Sequence, residues 1–448
     1  MIFGLMETGF PLFYWGNALM IAIALVLIYL AIAKEMEPLL LVPIGFGMIL
    51  VNLPLGGMMD YEMMLKAPQA GTVVEVSTQE GKGFDKGGVI CKLDSGEVVA
   101  PVFGRVDKLN VEQGQHVEKG QVIASILTME QTDQAVLPSR PVGLLSRIFQ
   151  FGVMWQILPP LMFLCLGALT DFGPMLANPK TLLLGAAAQF GVYLAFFMAL
   201  FVGFSLPEAA SIGIIGGAEG PTTIYVSSVL APHIIGATAV ACYSYMALVP
   251  IIIPPVIRLL TTKKERGIFM KPSMRKVSKL EKILFPLITA IIVILIVPTS
   301  AALMGCFMIG NLFKECGVTE RLNKTAQTTF VDLITIFLTL AIGASMPAQN
   351  FLQSKTLLVL VLGVVSFAAA AGAGVLLAKF MNLFLKEKIN PMIGGAGVSA
   401  VPMSARVVQV MGQKENPKNF LLMHAMGPNV AGAIGAAIAG GVFIGILG

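Results

Sequence analysis

Glu219 has the most unusual chemical setting in this sequence, because it is a carboxylate inside a long apolar segment. The segment 206–232 is interrupted by the tract GGAEGPT at 216–222, whose glycines and proline weaken or end a helix. Thr222, Thr223 and the carbonyl groups freed by the interruption would supply further oxygens. Oxygen ligands around one carboxylate favour a hard cation such as Na⁺. The alternative is a protonated glutamic acid that serves packing alone.

A second interrupted segment, 386–412, carries a related glycine tract but no carboxylate at its tip. Its oxygen-bearing side chains are neutral: Asn390, Ser399 and Ser404. Asn429 supplies another amide beside a later helix break. Neutral oxygens can complete the shell of a bound ion. A single Asn or Ser is nevertheless more often a capping or packing residue.

Three further side chains could act on a substrate. Tyr243 and Tyr245 follow the first interrupted segment inside an apolar span, where a phenol needs a partner or water. For either tyrosine a plain helix contact is the more ordinary interpretation. Arg406 closes the second interrupted segment, and its guanidinium could form two parallel hydrogen bonds with a carboxylate. Its alternative role is an anchor at the membrane surface.

The elements that must position these residues are membrane helices. The chain has 448 residues, 56% of them apolar and 12% charged, with a mean hydropathy of +0.83, which excludes a soluble enzyme. The net charge of +5 is too modest to favour nucleic acid as a partner, and the five cysteines and three histidines show no zinc-ligand spacing. Ten apolar windows are predicted to cross about 30 Å of hydrocarbon: 15–33, 38–56, 151–170, 181–203, 234–257, 283–298, 300–316, 329–345, 356–379 and 419–446.

Residues 62–128 break the membrane pattern, being polar and alternating as half-exposed strands do. The tract APQAG at 67–71 recurs 33 positions later as APVFG at 100–104. Two such halves resemble the barrel-sandwich hybrid of biotinyl and lipoyl carrier domains. The connection between the halves, 93–97, has no lysine, and Lys92 is predicted to lie within a strand. We therefore expect an insert without covalent biotin.

A second repeat relates the two halves of the membrane region. The tract IGGA at 215–218 recurs as IGGA at 393–396, although small residues could also serve close helix packing alone. From Glu208 to Ala218 the chain covers about 16 Å, half a bilayer, so both interrupted segments are predicted to be re-entrant hairpins. Each repeat then has five spans and a hairpin, and the two repeats are inverted.

The positive charges agree with that topology. If both segments are hairpins, one face carries the basic loop 258–282 and most other basic residues. The positive-inside rule makes that face cytoplasmic. The alternative of twelve ordinary crossings splits the basic residues between two faces. The predicted units are 1–57 with the first two spans, the insert 62–128, the rest of repeat 1 at 145–260, the basic loop 261–282, and repeat 2 at 283–448.

Several tracts together resemble the beta subunit of the sodium-pumping biotin-dependent decarboxylases. They are LAIAK with EPLLL at 30–41, TDFGP at 170–174, GGAEGPT at 216–222, YSYM at 243–246, GVSAVPM at 397–403 and HAMGPNVAG at 424–432. The family pattern has Asp where this chain has Glu219. The resemblance implies functional residues at Glu219, Asn390 and Ser399, and the oxygens of Thr222 and Asn429, taken from the residues themselves, complete the predicted set of Na⁺ ligands. It implies that Tyr245, Ser399 and Arg406 serve the reaction, with Gly394 in the same tract. The position of Arg406 at the exit of the hairpin further predicts a contact with the carboxylate of carboxybiotin.

The resemblance implies a cell (inner) membrane subunit that couples decarboxylation of carboxybiotin to Na⁺ export with proton uptake. The expected partners are a carboxyltransferase alpha subunit, a biotin carrier protein, a small single-span gamma or delta subunit, and further copies of this chain. Carboxybiotin would be carried by a partner, with Na⁺ as the transported ion. The alternatives are an uncoupled sodium/carboxylate transporter and a structural anchor for a soluble enzyme.

Overall fold

The computed structural model describes residues 10, 13–129, 139–271 and 275–448. Within the predicted unit 1–57, residues 1–9, 11 and 12 lie outside the described residues, as do 272–274 of the basic loop. The described chain is mostly helical, with one group of strands between the second and third helices.

The helices are numbered in chain order. Their bounds are α1 Trp15–Ala33, α2 Pro38–Val51, α3 Leu144–Phe149, α4 Leu158–Leu169, α5 Gly173–Ala177, α6 Leu182–Ala188, α7 Phe190–Val202, α8 Leu206–Gly213, α9 Gly220–Leu230, α10 Ile235–Leu260, α11 Lys263–Arg266, α12 Lys279–Ile296, α13 Ala301–Glu315, α14 Glu320–Thr325, α15 Val331–Ala344, α16 Ala348–Phe351, α17 Ser354–Phe384, α18 Met403–Glu415 and α19 Leu422–Leu447. Short 3₁₀ or π turns extend several of them.

Five described helical stretches are long and apolar enough to cross a membrane: Trp15–Ala33, Pro179–Val202, Glu320–Ala344, Ser354–Phe384 and Leu422–Leu447. Two bent pairs raise the number to seven if each pair is one span. The pairs bend by 65° between Met154 and Leu158 and by 69° near Ala247, where α10 contains three prolines.

The described helices of spanning length are therefore fewer than the ten predicted crossings. α2 has only 14 residues and α13 only 15, while three of the first four residues of α12 are charged. A straight span needs about 20 apolar residues, and these windows are divided by prolines, glycines and polar caps. Together the helices form a multi-pass membrane protein.

Paired glycines hold two helix crossings close together. Gly47 of α2 packs on the backbone of α15, and Gly343 of α15 packs on the backbone of α2. In the same way Gly167 of α4 and Gly310 of α13 each lie against the backbone of the other helix. Small residues allow membrane helices to pack with their backbones close together. The α2–α15 and α4–α13 pairs therefore both pack through glycines.

The insert consists of two sheets rather than a closed barrel. Its strands are β1 Tyr61–Lys66, β2 Gly71–Val76, β3 Gly83–Phe84, β4 Val89–Leu93, β5 Gly96–Val99, β6 Gly104–Leu109, β7 His116–Val117, β8 Val122–Thr128 and β9 Ser139–Pro141. The orders are β3-β6-β8-β1-β9 and β5-β4-β2-β7. Each sheet thus holds a short strand from the other half of the repeat, which interlocks the two halves around a shared apolar core.

Lys92 lies in β4, where it is paired in register with Glu97 of β5. Its ammonium group lies 3.4 Å from Glu75, on the neighbouring strand β2. The turn between β4 and β5 is formed by Asp94 and Ser95. The tip that would present an acceptor lysine in a carrier domain therefore has none.

Candidate functional site

The first interrupted segment is a helical hairpin whose limbs are set by local sequence signals. Gly203, in a left-handed conformation (φ +99°), ends α7, and Ser205 caps α8 together with Glu208. α8 continues through a 3₁₀ turn to Gly217, and Ala218 reverses the chain with φ +51° before α9 begins. This limb rises roughly 18 Å, so it reaches only about the middle of a bilayer.

The second interrupted segment has a shorter entering limb. It is a 3₁₀ helix, Pro391–Gly397, and α18 forms the limb that leaves the tip. The backbone N–H of Ser399 donates a hydrogen bond of 3.1 Å to the carbonyl oxygen of Gly217. The tips of the two hairpins therefore meet inside the protein.

Glu219 lies at the tip of the first hairpin and is 4% exposed. The hydroxyl of Thr222 lies 3.5 Å from its carboxylate, and Thr223 donates to its backbone carbonyl at 2.8 Å. No salt bridge reaches Glu219 within the described part of the chain. A carboxylate in this position lacks a counter-charge that a bound cation would supply.

Ser399 and Asn429 bring two more oxygens to the second tip. The Ser399 hydroxyl and the Asn429 Oδ1 atom are both buried without a hydrogen-bond partner among the described residues. The amide nitrogen of Asn429 fixes the side chain, because Nδ2 donates to the Val398 carbonyl at 2.7 Å and to the Ser404 hydroxyl at 2.8 Å. The amide is thus fixed with its oxygen buried and without a partner among the described residues.

Gln189 is a residue of this region that the sequence analysis missed. It lies at the break between α6 and α7, and its Nε2 atom donates to the carbonyl of Gly432 at 3.2 Å. Gly432 in turn borders Ser399, since a methyl group on Gly432 would lie 3.3 Å from the Ser399 nitrogen. The Gln189 Oε1 atom is buried and unpartnered. The sequence signal that could have identified Gln189 is a single amide side chain within an apolar stretch.

The groups at the two hairpin tips carry oxygen rather than nitrogen or sulfur ligands. The first tip carries one buried carboxylate, and the second carries two neutral oxygens without a described partner, with no cationic side chain among the contacts described. Within the residues that the structure describes, no group of three or more His, Cys, Asp or Glu side chains is arranged to hold a metal ion. Such oxygen-rich sets suit Na⁺ better than a transition metal.

Comparison with known proteins assigns the chain to a family. The family model described as "Na+-transporting oxaloacetate decarboxylase beta subunit" matches residues 16–447. The chain belongs to this family. It is therefore a membrane subunit of a decarboxylase, as the resemblance in the sequence implied.

Relatives of this beta-subunit family match along nearly their whole length. The methylmalonyl-CoA decarboxylase subunit beta of Propionigenium modestum is 50% identical over 443 residues, covering 99% of this chain and 98% of the relative. The probable oxaloacetate decarboxylase beta chain of Vibrio cholerae serotype O1 is 47% identical over 450 residues, covering 98% of each chain. The methylmalonyl-CoA decarboxylase subunit beta of Veillonella parvula is 44% identical over 441 residues, covering 98% and 96%.

Asn390 is not brought to the meeting point of the tips by any described contact. Its Oδ1 atom accepts from the Met392 backbone at 3.1 Å, and its Nδ2 atom donates to the carbonyls of Arg266 and Ile268 at 2.7 and 2.9 Å. Asn390 therefore caps the second hairpin and ties it to α11. Its role as a Na⁺ ligand stays a prediction.

The two tyrosines have different surroundings in the structure. The Tyr245 phenol donates to the carbonyl of Leu360 in α17, so it joins two helices. The Tyr243 hydroxyl is buried and unpartnered, and it would lie 2.9 Å from a methyl group on Gly220, directly after Glu219. Tyr243 rather than Tyr245 is thus the phenol beside the carboxylate.

Arg406 is exposed in the first turn of α18 and faces the loop between α1 and α2. Burial raises the pKa of Glu37 in that loop, and the positive charge of Arg406 opposes the rise. Gly394 also has a packing role, because a methyl group there would collide with the backbone of Gly374 in α17. Close packing, the alternative for the glycine tract, therefore accompanies its place in the hairpin.

Proposed function

We propose that this beta subunit couples decarboxylation of carboxybiotin, carried by a partner, to Na⁺ export with proton uptake. The observation that supports this is the contact between the tips of two half-length hairpins, with a buried carboxylate at the first tip and buried oxygens without a described partner at the second. The cation site would comprise Glu219, Thr222, Ser399, Asn429 and Gln189. Asn390 would hold the hairpin in place rather than bind the ion.

We infer that the two halves of the membrane region are inverted repeats. The paired-glycine crossings support this relation, because Gly167 and Gly343 are separated by nearly the same offset as the two IGGA tracts. Each crossing would join the second span of one half to the third span of the other. Hairpins related in this way would open the cation site alternately to the two faces.

The reaction itself needs one proton. The C–N bond of the carboxylated ureido group breaks, CO₂ leaves, and the ureido nitrogen takes up a proton. A carboxylate that binds either Na⁺ or H⁺ would link the two steps, because release of Na⁺ frees it to accept a proton. Tyr243 is near enough to Glu219 to assist this exchange.

The proposed setting is the cell (inner) membrane, with hairpin 386–412 opening to the cytoplasm. The partners would be a carboxyltransferase alpha subunit, a biotin carrier protein, a small single-span gamma or delta subunit and further copies of this chain. Arg406, exposed on that face, would contact the carboxylated carrier. Tyr245 would affect the reaction indirectly, because its hydrogen bond to α17 fixes the position of α10.

The test is Na⁺ transport by the complete complex in proteoliposomes. Glu219→Gln should abolish Na⁺-dependent decarboxylation and Na⁺ uptake while subunit assembly stays intact, because the amide removes the only formal charge described at the tips. Glu320→Gln, an exposed carboxylate at the start of α14, is the matched control and should behave as the unmodified complex. Unchanged Na⁺ activation in Glu219→Gln would refute the proposed site.

A further inference from the structure

One arginine of the basic loop is buried, unlike its neighbours. Arg266 in α11 is 7% exposed, whereas Lys263 and Lys264 of the same helix are exposed. The positive-inside rule concerns charges that remain at the membrane surface, so it gives no reason to bury an arginine. A buried guanidinium indicates instead a specific set of partners.

The guanidinium of Arg266 joins the ends of two helices. Its Nε atom donates to the carboxylate of Glu415, the last residue of α18, at 2.7 Å. Its Nη1 atom donates to the carbonyl oxygen of Thr261, directly after α10, at 2.6 Å. The side chains of Arg266 and Glu415 are 9% and 27% exposed, so the pair is largely shielded from water. A planar group with several N–H donors can hold both partners at once.

The backbone of the same loop holds the second hairpin at its start and just after its end. Asn390 donates to the carbonyl oxygens of Arg266 at 2.7 Å and Ile268 at 2.9 Å. Asn419 also donates to the Ile268 carbonyl, at 2.8 Å, and accepts from the backbone N–H of Met270 at 3.2 Å. The loop therefore contacts both ends of this hairpin.

The second hairpin depends on such outside contacts more than the first. The first hairpin begins with an α-helix that carries its own cap, Ser205 with Glu208. The second begins with the 3₁₀ helix Pro391–Gly397, a form whose hydrogen bonds have poorer geometry and rarely sustain long runs. Its tip meets the first hairpin through the hydrogen bond from Ser399 to Gly217. Contacts at the base of the second hairpin therefore help to fix the place of its tip.

A buried ion pair is better suited to fixing a position than to adding stability. The cost of removing two charges from water offsets much of their attraction, whereas their directional hydrogen bonds favour one arrangement. α10 carries Tyr243 beside Glu219, and the second hairpin carries Ser399. A joint between the end of α10 and the base of the hairpin therefore controls how the two parts of the proposed cation site lie relative to each other.

We propose that Arg266 is a positioning residue for the Na⁺-coupled reaction, which fixes the second hairpin against the end of α10 through its bond to Glu415. Arg266 acts through the hairpin and its tip rather than on the ion or the substrate. This inference rests on the proposed function, in which Ser399 at the second tip and Glu219 at the first bind Na⁺.

The experiment measures decarboxylation by the complete reconstituted complex against Na⁺ concentration. Arg266→Lys keeps the charge but cannot hold Glu415 and Thr261 together, so half-saturating Na⁺ should rise about tenfold while kcat at saturating Na⁺ falls by no more than about twofold. Glu415→Gln keeps an acceptor for Nε without the charge, and we expect a rise of about threefold. Lys264→Ala removes an exposed cation of the same helix and should behave as the unmodified complex.

Two comparisons separate positioning from support of the fold. The double variant Arg266→Lys with Glu415→Gln should match Arg266→Lys alone, because both substitutions act on one contact. A rise of about thirtyfold, the product of the two single effects, would contradict the pairing. A lower melting temperature with unchanged half-saturating Na⁺ in both single variants would overturn the proposal, since the contact would then serve the fold alone.

Amide hydrogen exchange of the same complexes, without Na⁺, reports on the hairpin independently of ion coupling. Arg266→Lys should speed exchange about tenfold in peptides from 391–415 and leave the first hairpin, 206–230, unchanged. Unchanged exchange in 391–415 would refute the positioning role. If the unmodified complex showed no Na⁺ dependence, the proposed coupling would fail, while faster exchange confined to the second hairpin would still show that Arg266 positions it.

Discussion

Ser399 and Ser404 offer a matched test of the cation site, because the two hydroxyls have opposite surroundings. The Ser399 hydroxyl is buried and unpartnered, so Ser399→Ala breaks no hydrogen bond of the described structure. The Ser404 hydroxyl donates to the Val398 carbonyl at 3.1 Å and accepts from Asn429 at 2.8 Å. Ser404→Ala therefore loses two contacts and loosens the amide whose oxygen is proposed to bind Na⁺.

The expected magnitudes follow from these contacts. Ser399→Ala should leave the free energy of unfolding unchanged or raise it by about 1 kcal/mol, because it removes an unsatisfied buried hydroxyl. Ser404→Ala should lower it by about 2 kcal/mol, at about 1 kcal/mol for each hydrogen bond. Loss of one neutral ligand should weaken Na⁺ binding by about 1–2 kcal/mol, which is roughly a five- to thirtyfold rise in half-saturating Na⁺.

Two measurements separate ion binding from packing. Decarboxylation by the reconstituted complex is followed against Na⁺ concentration, and thermal denaturation is followed for the solubilised protein without Na⁺. Ser399→Ala should shift only the first measurement, whereas Ser404→Ala should shift both. If Ser399→Ala lowered thermal stability and left half-saturating Na⁺ unchanged, its hydroxyl would be a packing group and the proposed ligand set would be wrong.

Three other predictions concern packing, the tyrosines and the insert. Gly394→Ala should destabilise the fold by about 2 kcal/mol or more, measured by thermal denaturation, because its methyl group meets the backbone of Gly374; a neutral result would contradict the close approach. Tyr243→Phe should change Na⁺ activation with little loss of stability, whereas Tyr245→Phe should lower the free energy of unfolding by about 1 kcal/mol through its lost hydrogen bond; the reverse pattern would restore the sequence-based assignment. The purified chain should give a negative avidin blot and an intact mass without biotin, and biotin on any lysine of the insert would overturn its description as a non-carrier module.

The sequence by itself determined the class of this protein. Apolar windows, few charges and glycine–proline tracts are local properties, so membrane helices with two interruptions follow from them directly. The alternation and internal repeat of 62–128 likewise predicted an all-β insert. The motifs of the interrupted segments predicted the decarboxylase family, which the comparisons confirmed.

The proposed ligand set depends on which side of each element faces the tips of the hairpins, and packing decides that orientation. Tyr243 and Tyr245 differ by about 200° around α10, so one meets the first hairpin while the other bonds to α17. No periodicity in an all-apolar helix shows which of the two turns inward.

Long-range contacts decided the rest of the candidate site. Gln189 joins the tips through Gly432, 243 residues later, and Asn390 leaves them because carbonyls of a distant loop take up its amide. Such partners are separated too far along the chain for spacing to pair them. The sequence could therefore supply the oxygens of a Na⁺ site, but only the folded packing of both hairpins against α19 selects which of them remain unpartnered.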